Sequence, residues 1–320
     1  MEILDLLIIG AGPIGLNCAL EAKKNNLTYL IVEKGTIVNS LYHYPLYMRF
    51  FSTADKLEIA EIPFITTAPK PGRQDALEYY QGIARQKDLS INLYEKVLNV
   101  RKNEEIFEVE TSKSRYSAKN VIISTGFYDH PNTMNIPGEN LEKVKHYYTE
   151  PYPFAQQKTV VVGSSNSAAD AALETYRKGA EVTMIIKGSE ISSSVKYWVK
   201  PDIENRIAEG SIKAYFNAEM QEIKDSTVIF KDDRGSIHEI ENDFVLAMTG
   251  YLPDFDFLKN SGILLRNENL IPKYNPETME TNIKNLYLAG VVCGGKDTHL
   301  WFIENSRIHA NLIVKHILGQ

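Results

Sequence analysis

Hydrophobic residues occur in short uninterrupted runs that alternate with amphipathic stretches along the chain. Ile3–Ile9 is apolar at six of seven positions and ends before Gly10, which is typical of a strand buried in a parallel sheet. Residues 12–24 carry the periodic apolar face of a helix, and residues 28–32 form a second apolar run. This strand–helix–strand order predicts a parallel α/β unit.

A second unit of the same kind begins near residue 158. A strand over 158–162, a turn at Gly163, a helix over 167–178 and a strand over 181–186 repeat the first pattern. The two glycine turns are 153 residues apart, which indicates a repeated nucleotide-binding unit and not a solenoid.

The remaining pattern predicts further strands and helices around these two units. The predicted helices are 74–86 and 298–318. The predicted strands are an antiparallel meander over 91–98, 107–111 and 115–117, a buried strand over 120–125, and strands at 226–231, 244–249 and 285–289. The expected fold class is therefore α/β with two Rossmann-like dinucleotide-binding domains.

The first glycine turn, Gly10–Gly15, follows a strand, opens a helix and is followed by an acidic residue at the end of the next strand. Gly10 permits the tight turn, Gly12 lets a pyrophosphate approach the backbone, and Gly15 lets helix and strand pack closely. The helix N-terminus adds N–H donors for the phosphates. Glu33, 23 residues after Gly10, is placed to accept ribose hydroxyls and to repel a 2′-phosphate. This site is therefore predicted to bind FAD or NAD, not NADP.

The second glycine turn, Gly163–Ala168, is a degenerate copy of the first. Ser165 replaces the middle glycine and Ala168 the last, which the pattern tolerates. The next strand ends in Lys187, at the position where an acidic residue would select NAD. A cation there suits the 2′-phosphate of NADP, and Lys196 with its neighbouring serines is a candidate for further contacts. The alternative is that Lys187 is a solvated strand end.

The second strand of the first unit ends in an acidic residue, Glu33, and that of the second unit ends in a basic residue, Lys187. This pair of units suits a protein that binds two different dinucleotides. The natural pair is a bound flavin and an exchanging NADPH, because the two cofactors carry the redox chemistry while the protein positions them. The sequence therefore predicts FAD and NADPH as cofactors.

Composition and charge narrow the classes of function. The 320 residues carry a net charge of −6, which argues against a nucleic-acid binder because such a protein needs cations to neutralise phosphates. Two cysteines are too few for a disulfide framework or a cysteine-rich zinc site, and they fit a reducing cytosol. The pattern contains no signal peptide, membrane span or metal-ligand cluster. We therefore expect a cytoplasmic enzyme without a metal, nucleic-acid or membrane partner.

The order of several motifs resembles the low-molecular-weight thioredoxin-reductase-like flavoproteins. These motifs are GAGPIGL (10–16), VEKG (32–35), STG (124–126), VVVGSSNSAAD (160–170), MTGY (248–251) and TNIKNLYLAG (281–290). Four further stretches are similar to the YpdA family, the bacillithiol disulfide reductases: FFSTADKLEIA (50–60), NDFVLAMTGYLPDFDFL (242–258), ETMETN (277–282) and FIENSRIHA (302–310). The resemblance spans nearly the whole chain.

The resemblance implies an enzyme that uses FAD and NADPH to reduce a low-molecular-weight disulfide such as bacillithiol disulfide, and a homo-oligomer. It implies an NADPH-binding domain over residues 131–250, inserted into a discontinuous FAD-binding domain of residues 1–130 and 251–320. The matching motifs imply further cofactor-binding residues: Pro13, Ile14, Lys34, Ser52, Thr53, Thr125, Gly126, Asn166, Ser167, Gly250, Gly290 and Val291.

The cysteines depart from the patterns of these relatives. The YpdA pattern has a cysteine where this chain has Ile14, and the Cys-x-x-Cys pair of thioredoxin reductases is absent, which excludes a dithiol relay to thioredoxin. Cys18 is expected to pack in the core. Cys293 is the candidate catalytic thiol, in a glycine-rich segment before the last helix. Its alternative role is that of a small residue in a loop near the flavin.

Three other functions stay open at this point. Ferredoxin or flavodoxin–NADP reductases of the thioredoxin-reductase type also lack the Cys-x-x-Cys pair, and they pass single electrons to a protein. A flavin monooxygenase would use the same two cofactors. A redox-sensing module would hold FAD without turnover.

Overall fold

The computed structural model describes residues 3–320, so the first two residues of the predicted FAD domain lie outside it. Its strands are, in chain order, β1 (Ile3–Ile9), β2 (Tyr29–Val32), β3 (Ile91–Asn92), β4 (Val97–Asn103), β5 (Ile106–Thr111), β6 (Arg115–Ile123), β7 (His130–Pro131), β8 (Val144–Lys145), β9 (Lys158–Val162), β10 (Glu181–Ile185), β11 (Lys213–Tyr215), β12 (Glu219–Ile223), β13 (Thr227–Lys231), β14 (Ile237–Glu241), β15 (Phe244–Ala247), β16 (Tyr251–Leu252), β17 (Leu265–Arg266), β18 (Ile271–Pro272) and β19 (Leu286–Leu288).

The α-helices of the same range are α1 (Pro13–Lys24), α2 (Asn39–Tyr42), α3 (Ala54–Leu57), α4 (Arg73–Gln86), α5 (Asn166–Arg177), α6 (Lys200–Ala208), α7 (Phe255–Asn260), α8 (Ile303–Ser306) and α9 (Ile308–Ile317). Two 3-10 turns cover Tyr152–Phe154 and Val291–Gly294.

The chain folds into two compact units, which are described separately. The first unit comprises the described residues up to His43, Arg49–His130 and Tyr251–Gln320. The second comprises Tyr44–Met48 and Pro131–Gly250. The chain therefore passes between units near residues 130 and 250. The sequence does not predict that the short segment 44–48 joins the second unit.

The first unit is built on a largely parallel sheet with the order β3-β2-β1-β6, in which β19 also runs parallel beside β6. Ile9 pairs in register with Val32 on one side and with Ile123 on the other, and Ile123 pairs with Leu288. The strands therefore end level with one another. Whatever residues follow them are brought together at one edge of the sheet.

The helix α1 begins where the sequence predicts because Pro13 occupies its first position after an extended Gly12. Lys23 and Lys24 lie in its last turn, where cations favour the helix dipole. Its buried residues contact the strands β1 and β2 and the helix α9. The helix is thus held by packing on both sides.

Three sequence predictions in this unit are wrong. The stretch 91–98 is not one strand of an antiparallel meander, because β3 pairs parallel with β2 and only β4 pairs antiparallel with β5. Residues 115–117 and 120–123 belong to one strand, β6, whose first half pairs with β5 and whose second half pairs with β19, whereas residues 124 and 125 lie beyond its end. The polar residues at this point bond to Asp5: Lys119 Nζ donates to its carboxylate at 2.7 Å, and Asn120 Nδ2 donates to its carbonyl at 2.9 Å.

The last helix does not run from 298 to 318, because α8 begins at Ile303 and the helix is interrupted at Arg307. Asn305 Oδ1 accepts the Phe302 N–H at 2.7 Å, which provides the start signal. Asn17 Nδ2 donates to the Arg307 carbonyl at 2.7 Å at the interruption.

The second unit has a parallel sheet of order β11-β10-β9-β15-β8 and a separate antiparallel sheet of order β12-β13-β14. One hydrophobic cluster joins the parallel sheet to the alanine-rich face of α5, and another joins it to the antiparallel strands around Phe230. The parallel sheet is therefore covered on both faces, as its continuous apolar strands require. The predicted α/β class with two Rossmann-like units is confirmed.

Within residues 3–320, none of the helices combines the length and the apolar character that crossing a bilayer requires.

Candidate functional site

The first glycine turn shows a separate physical reason for each of its glycines. Gly10 has φ +104°, and a Cβ there would lie 2.7 Å from the Ser124 carbonyl oxygen. A Cβ on Gly15 would lie 1.9 Å from the Gly10 oxygen, so helix and strand touch backbone to backbone. Around Gly12, by contrast, no heavy atom of the described chain lies within 4 Å of the Cβ position, and φ is an ordinary −70°. Among the three glycines of this turn, Gly12 alone borders open space.

Glu33 is fixed at the edge of this turn. Its side chain is 6% exposed, and its two carboxylate oxygens accept the Ala11 N–H at 2.7 Å and the Gly35 N–H at 2.8 Å. Burial raises the pKa of this carboxyl, while the two backbone hydrogen bonds act against that shift. Each oxygen keeps further lone pairs, so the carboxylate can also accept hydroxyl groups.

The ends of β6 and β19 complete the same edge. Ser124 Oγ donates to the Ile9 carbonyl at 2.9 Å, and Gly290 faces the side chain of Ile14 at 3.4 Å from its Cβ position. Thr125 Oγ1 is buried and has no hydrogen-bond partner among the residues that the structure describes. Gly126 has φ +74° and, like Gly12, has no described atom within 4 Å of its Cβ position.

These observations fit a dinucleotide at the carboxyl edge of the first sheet. The open spaces at Gly12 and Gly126 are the places where a side chain would obstruct a ligand, and Thr125 supplies a hydroxyl that still lacks a partner. Glu33 supplies the acceptor that ribose hydroxyls need. The residues present therefore fit FAD.

Three other residues expected at the flavin already have protein partners. Lys34 Nζ lies 2.6 Å from Asp129 Oδ1, and Ser52 Oγ donates to Glu304 Oε2 at 2.7 Å. The Thr53 hydroxyl bonds Asp55 and lowers the pKa of that carboxyl. Direct contact of these residues with the cofactor stays a prediction.

The two cysteines are both buried. Cys18 is 0% and Cys293 1% exposed, and burial raises the pKa of both thiols, that of Cys18 to about 12. A buried, protonated thiol is a weak nucleophile, so this environment favours a packing role for Cys293. The prediction that Cys293 is catalytic has no support from its surroundings and awaits a direct test.

Sequence reasoning missed two polar residues beside this edge. His309 is 1% exposed, and its Nδ1 accepts the Gly290 N–H at 3.1 Å. Asn17 accepts the Ala60 N–H at 3.1 Å and donates to the Arg307 carbonyl, so it joins three separated segments. His309 lies within the FIENSRIHA stretch and Asn17 directly follows the GAGPIGL motif, but a single polar residue within a helical apolar pattern does not reveal its partner.

The second glycine turn has the same construction in the other unit. Gly163 has φ +128°, and a Cβ there would lie 2.5 Å from the Met248 carbonyl oxygen and 3.3 Å from Ala168. Asn166 Nδ2 donates to the Ser194 carbonyl at 2.9 Å, and Asn166 Oδ1 accepts the Lys196 N–H at 3.0 Å. The serine-rich segment after β10 is therefore attached to the turn.

Exposed hydroxyl groups and a glycine complete the second turn. Ser165 Oγ lies 3.0 Å from Ser194 Oγ, and Ser167 is exposed in the first turn of α5. Gly250 follows β15 with φ +91°.

The two lysines expected at the 2′-phosphate differ in exposure. Lys187 follows β10, its side chain is 83% exposed, and its Nζ lies 2.7 Å from Glu219 Oε1. Lys196 is only 9% exposed and pairs with Asp170 at 2.7 Å. Lys187 is thus the more accessible cation for a phosphate. No group of three or more potential metal-ligand side chains occurs between residues 3 and 320.

A family model and one relative of known sequence indicate the family of this chain. Residues 7–290 match the pyridine nucleotide-disulphide oxidoreductase family. Bacilliredoxin reductase Bdr of Bacillus subtilis (strain 168) is 43% identical, over 97% of this chain and 96% of that protein.

Two solved structures are similar over nearly their whole length. Bacillithiol disulfide reductase Bdr (YpdA) of Staphylococcus aureus has 41% identity and a TM-score of 0.96, covering 100% of this chain and 99% of that chain. The same enzyme of Bacillus cereus has 42% identity and a TM-score of 0.97, covering 99% of each chain.

The contrast between Gly12 and Gly15 predicts two different defects. Gly12→Ala should cost no more than about 1 kcal/mol of unfolding free energy, because alanine is only a weaker helix N-cap. It should nevertheless weaken FAD binding by at least about tenfold, because the methyl group enters the space left for the pyrophosphate. Gly15→Ala should destabilise the protein by about 3 kcal/mol or more through its clash with Gly10. Urea unfolding and FAD fluorescence titration measure the two effects. Equal FAD affinity in Gly12→Ala and the parent would contradict the assignment.

Because His309 is buried, we expect the protein to lose stability as the pH falls from 7 to 5. Burial lowers the pKa of His309 from 6.5 to about 4. Between pH 6.5 and about 4, His309 therefore binds a proton in the unfolded chain but not in the folded chain. The free energy of unfolding consequently falls as the pH decreases. The expected loss between pH 7 and pH 5 is about 2 kcal/mol, measured by urea unfolding at both values.

A matched pair of variants isolates this contribution. His309→Asn should remove the loss between the two pH values, whereas substitution of the exposed His299 by Asn should leave it in place. An unchanged pH dependence in His309→Asn would show that other groups cause the acid sensitivity.

Proposed function

The chain belongs to the Bdr (YpdA) branch of the pyridine nucleotide-disulphide oxidoreductase family, and we propose that it uses FAD and NADPH to reduce a low-molecular-weight disulfide such as bacillithiol disulfide. The observation that carries this proposal is the pair of glycine turns, one followed by the buried Glu33 and the other by the exposed Lys187. An acid selects a dinucleotide without a 2′-phosphate, and a cation favours one that has it.

In the first unit, the chain's own groups hold and orient FAD. The Gly10–Gly15 turn and the N-terminus of α1 receive the pyrophosphate, and Glu33 accepts the ribose hydroxyls. Thr125 offers its unpartnered hydroxyl beside the open space at Gly126. When bound, FAD accepts two electrons from NADPH and delivers them to the acceptor.

In the second unit, the chain binds the electron donor. The turn Gly163–Ala168 receives the pyrophosphate of NADPH, and Lys187 attracts its 2′-phosphate. Lys187 must exchange Glu219 for the phosphate, which costs little because both side chains are exposed.

The overall reaction balances without a protein thiol. One disulfide, one NADPH and one proton give two thiols and NADP⁺, so the S–S bond receives the electron pair that NADPH loses. Both cysteines of the chain are buried and carry raised pKa values, so neither is placed to form a mixed disulfide with the substrate. The chain's role is to bind and position the reactants.

Two further properties belong to this proposal. The enzyme acts in the cytoplasm, which its two unpaired cysteines support. It forms a homo-oligomer, which light scattering on the purified protein measures directly.

The proposed reaction is tested by an anaerobic titration of the flavin-loaded protein. NADPH should bleach the flavin absorbance, and bacillithiol disulfide should restore it, because the second reactant removes the electrons that the first supplies. If only a one-electron protein acceptor restores the flavin absorbance, the result would instead favour a ferredoxin–NADP reductase. If bacilliredoxin restores the absorbance and the small disulfide does not, the electron acceptor is a protein and not a small molecule.

The same titration after treatment with N-ethylmaleimide examines the thiols. We expect unchanged recovery of the flavin, because the reagent reaches neither thiol in the folded protein. The denatured protein should react at both cysteines, which confirms that the reagent is active. Loss of recovery together with modification of Cys293 would establish that residue as catalytic.

The preference for NADPH is tested by removing its proposed cation. Lys187→Ala should raise the KM for NADPH about tenfold with kcat unchanged, because one charged hydrogen bond to the 2′-phosphate is lost. The KM for NADH should change by less than about twofold, since NADH lacks that phosphate.

Lys213 provides the matched control. It pairs with Glu181 at 2.9 Å with 61% of its side chain exposed, but it lies at the opposite end of the same sheet. Lys213→Ala should therefore leave both KM values unchanged. Equal effects of the two substitutions would remove Lys187 from the proposed phosphate site.

A further inference from the structure

We propose that His309 is a positioning residue of the flavin site: as a neutral imidazole it accepts the Gly290 N–H and fixes the turn at the end of β19. This inference rests on the proposed binding of FAD at the carboxyl edge of the first sheet. His309 acts through the backbone of Gly290 and not by direct contact with a reactant.

The hydrogen bond between Gly290 and His309 lies where β19 ends and the turn begins. Ala289 N–H still donates to the Ile123 carbonyl at 3.0 Å, as a continuation of the pairing of β19 with β6. The next N–H, that of Gly290, leaves the sheet and donates to His309 Nδ1 at 3.1 Å. Gly290 has φ +86°, and its carbonyl then accepts the Cys293 N–H at 3.2 Å. The imidazole therefore stabilises the first step of the change in chain direction.

The geometry fixes the protonation state of the ring. A backbone N–H can only donate, so Nδ1 must be unprotonated and the proton of the neutral ring lies on Nε2. Nε2 is buried and finds no partner among residues 3–320. A buried donor without a partner destabilises a protein, so an apolar side chain would pack here at lower cost if packing were the only requirement. The bond to Gly290 is the contribution that an apolar residue cannot make.

The turn is held from two sides. The Trp301 ring meets the imidazole edge-on at 4.6 Å between centroids, which restrains the ring orientation. On the other side, the Ile14 side chain lies 3.4 Å from the Cβ position of Gly290. Gly290 is therefore clamped between the first helix and the last, and a loss of the His309 acceptor frees one side of it.

Two nearly isosteric substitutions separate positioning from packing. His309→Asn offers Oδ1 as an acceptor at the same number of bonds from the backbone as Nδ1, whereas His309→Leu offers none. Both remove the outer part of the ring, so both should lower the urea midpoint by similar amounts. We expect FAD affinity within about threefold of the parent for Asn and about tenfold weaker for Leu, with an altered flavin absorption spectrum only for Leu.

Equal FAD affinity and equal spectra in the two variants would overturn the inference. The ring tautomer supplies a second measurement that needs no substitution: ¹⁵N-histidine NMR of the parent protein should show His309 protonated at Nε2 alone at neutral pH. A proton on Nδ1 would also overturn the inference, even if His309→Leu failed to fold. If the parent protein takes up no FAD, the proposed function is refuted. If the parent binds FAD and the two variants bind it equally well, only the role of His309 is refuted.

Discussion

The close approach of α1 to β1 is the constraint on which the first site depends. A side chain at Gly15 would overlap the carbonyl of Gly10, so the helix can start only where both positions are glycine. This contact directs the first turn of α1 over the carboxyl edge of the sheet. The register of β1 with β2 and β6, and of β6 with β19, brings Glu33, Ser124 and Gly290 to the same edge. The site follows from one packing contact and one alignment of strands.

The two nucleotide-binding edges differ in how they present charge. Glu33 is buried and held by two backbone donors, so its position is set before any ligand arrives. Lys187 is exposed on a long side chain whose partner, Glu219, is exposed too. A fixed buried acceptor suits a ligand that stays, whereas a mobile solvated cation suits one that comes and goes. Under the proposed function, burial as well as charge would separate a resident cofactor from an exchanging one.

The sequence predicts the elements that carry a strong local signal. Strands β1 and β9 have the predicted bounds, and the helices after both glycine turns begin within one residue of expectation. The family resemblance read from the motifs is confirmed. What local pattern does not contain is the identity of distant partners. The start of the last helix depends on Asn305, and Asn17 binds residues far along the chain. Gly290 and His309 lie in two separate motifs, and neither motif shows that the two residues are joined by a hydrogen bond.

The long continuous part of the second unit, Pro131–Gly250, begins and ends at one point. Asn132 donates its N–H to the Gly250 carbonyl at 2.9 Å, so one hydrogen bond joins the two ends of a stretch of more than a hundred residues. Its parallel sheet and both hydrophobic clusters lie inside that stretch. The two ends of this stretch are close enough for a short peptide to join them. None of the strands β1 to β6 or β19 lies within it, so a deletion between these two positions would remove no strand of the sheet of the first unit.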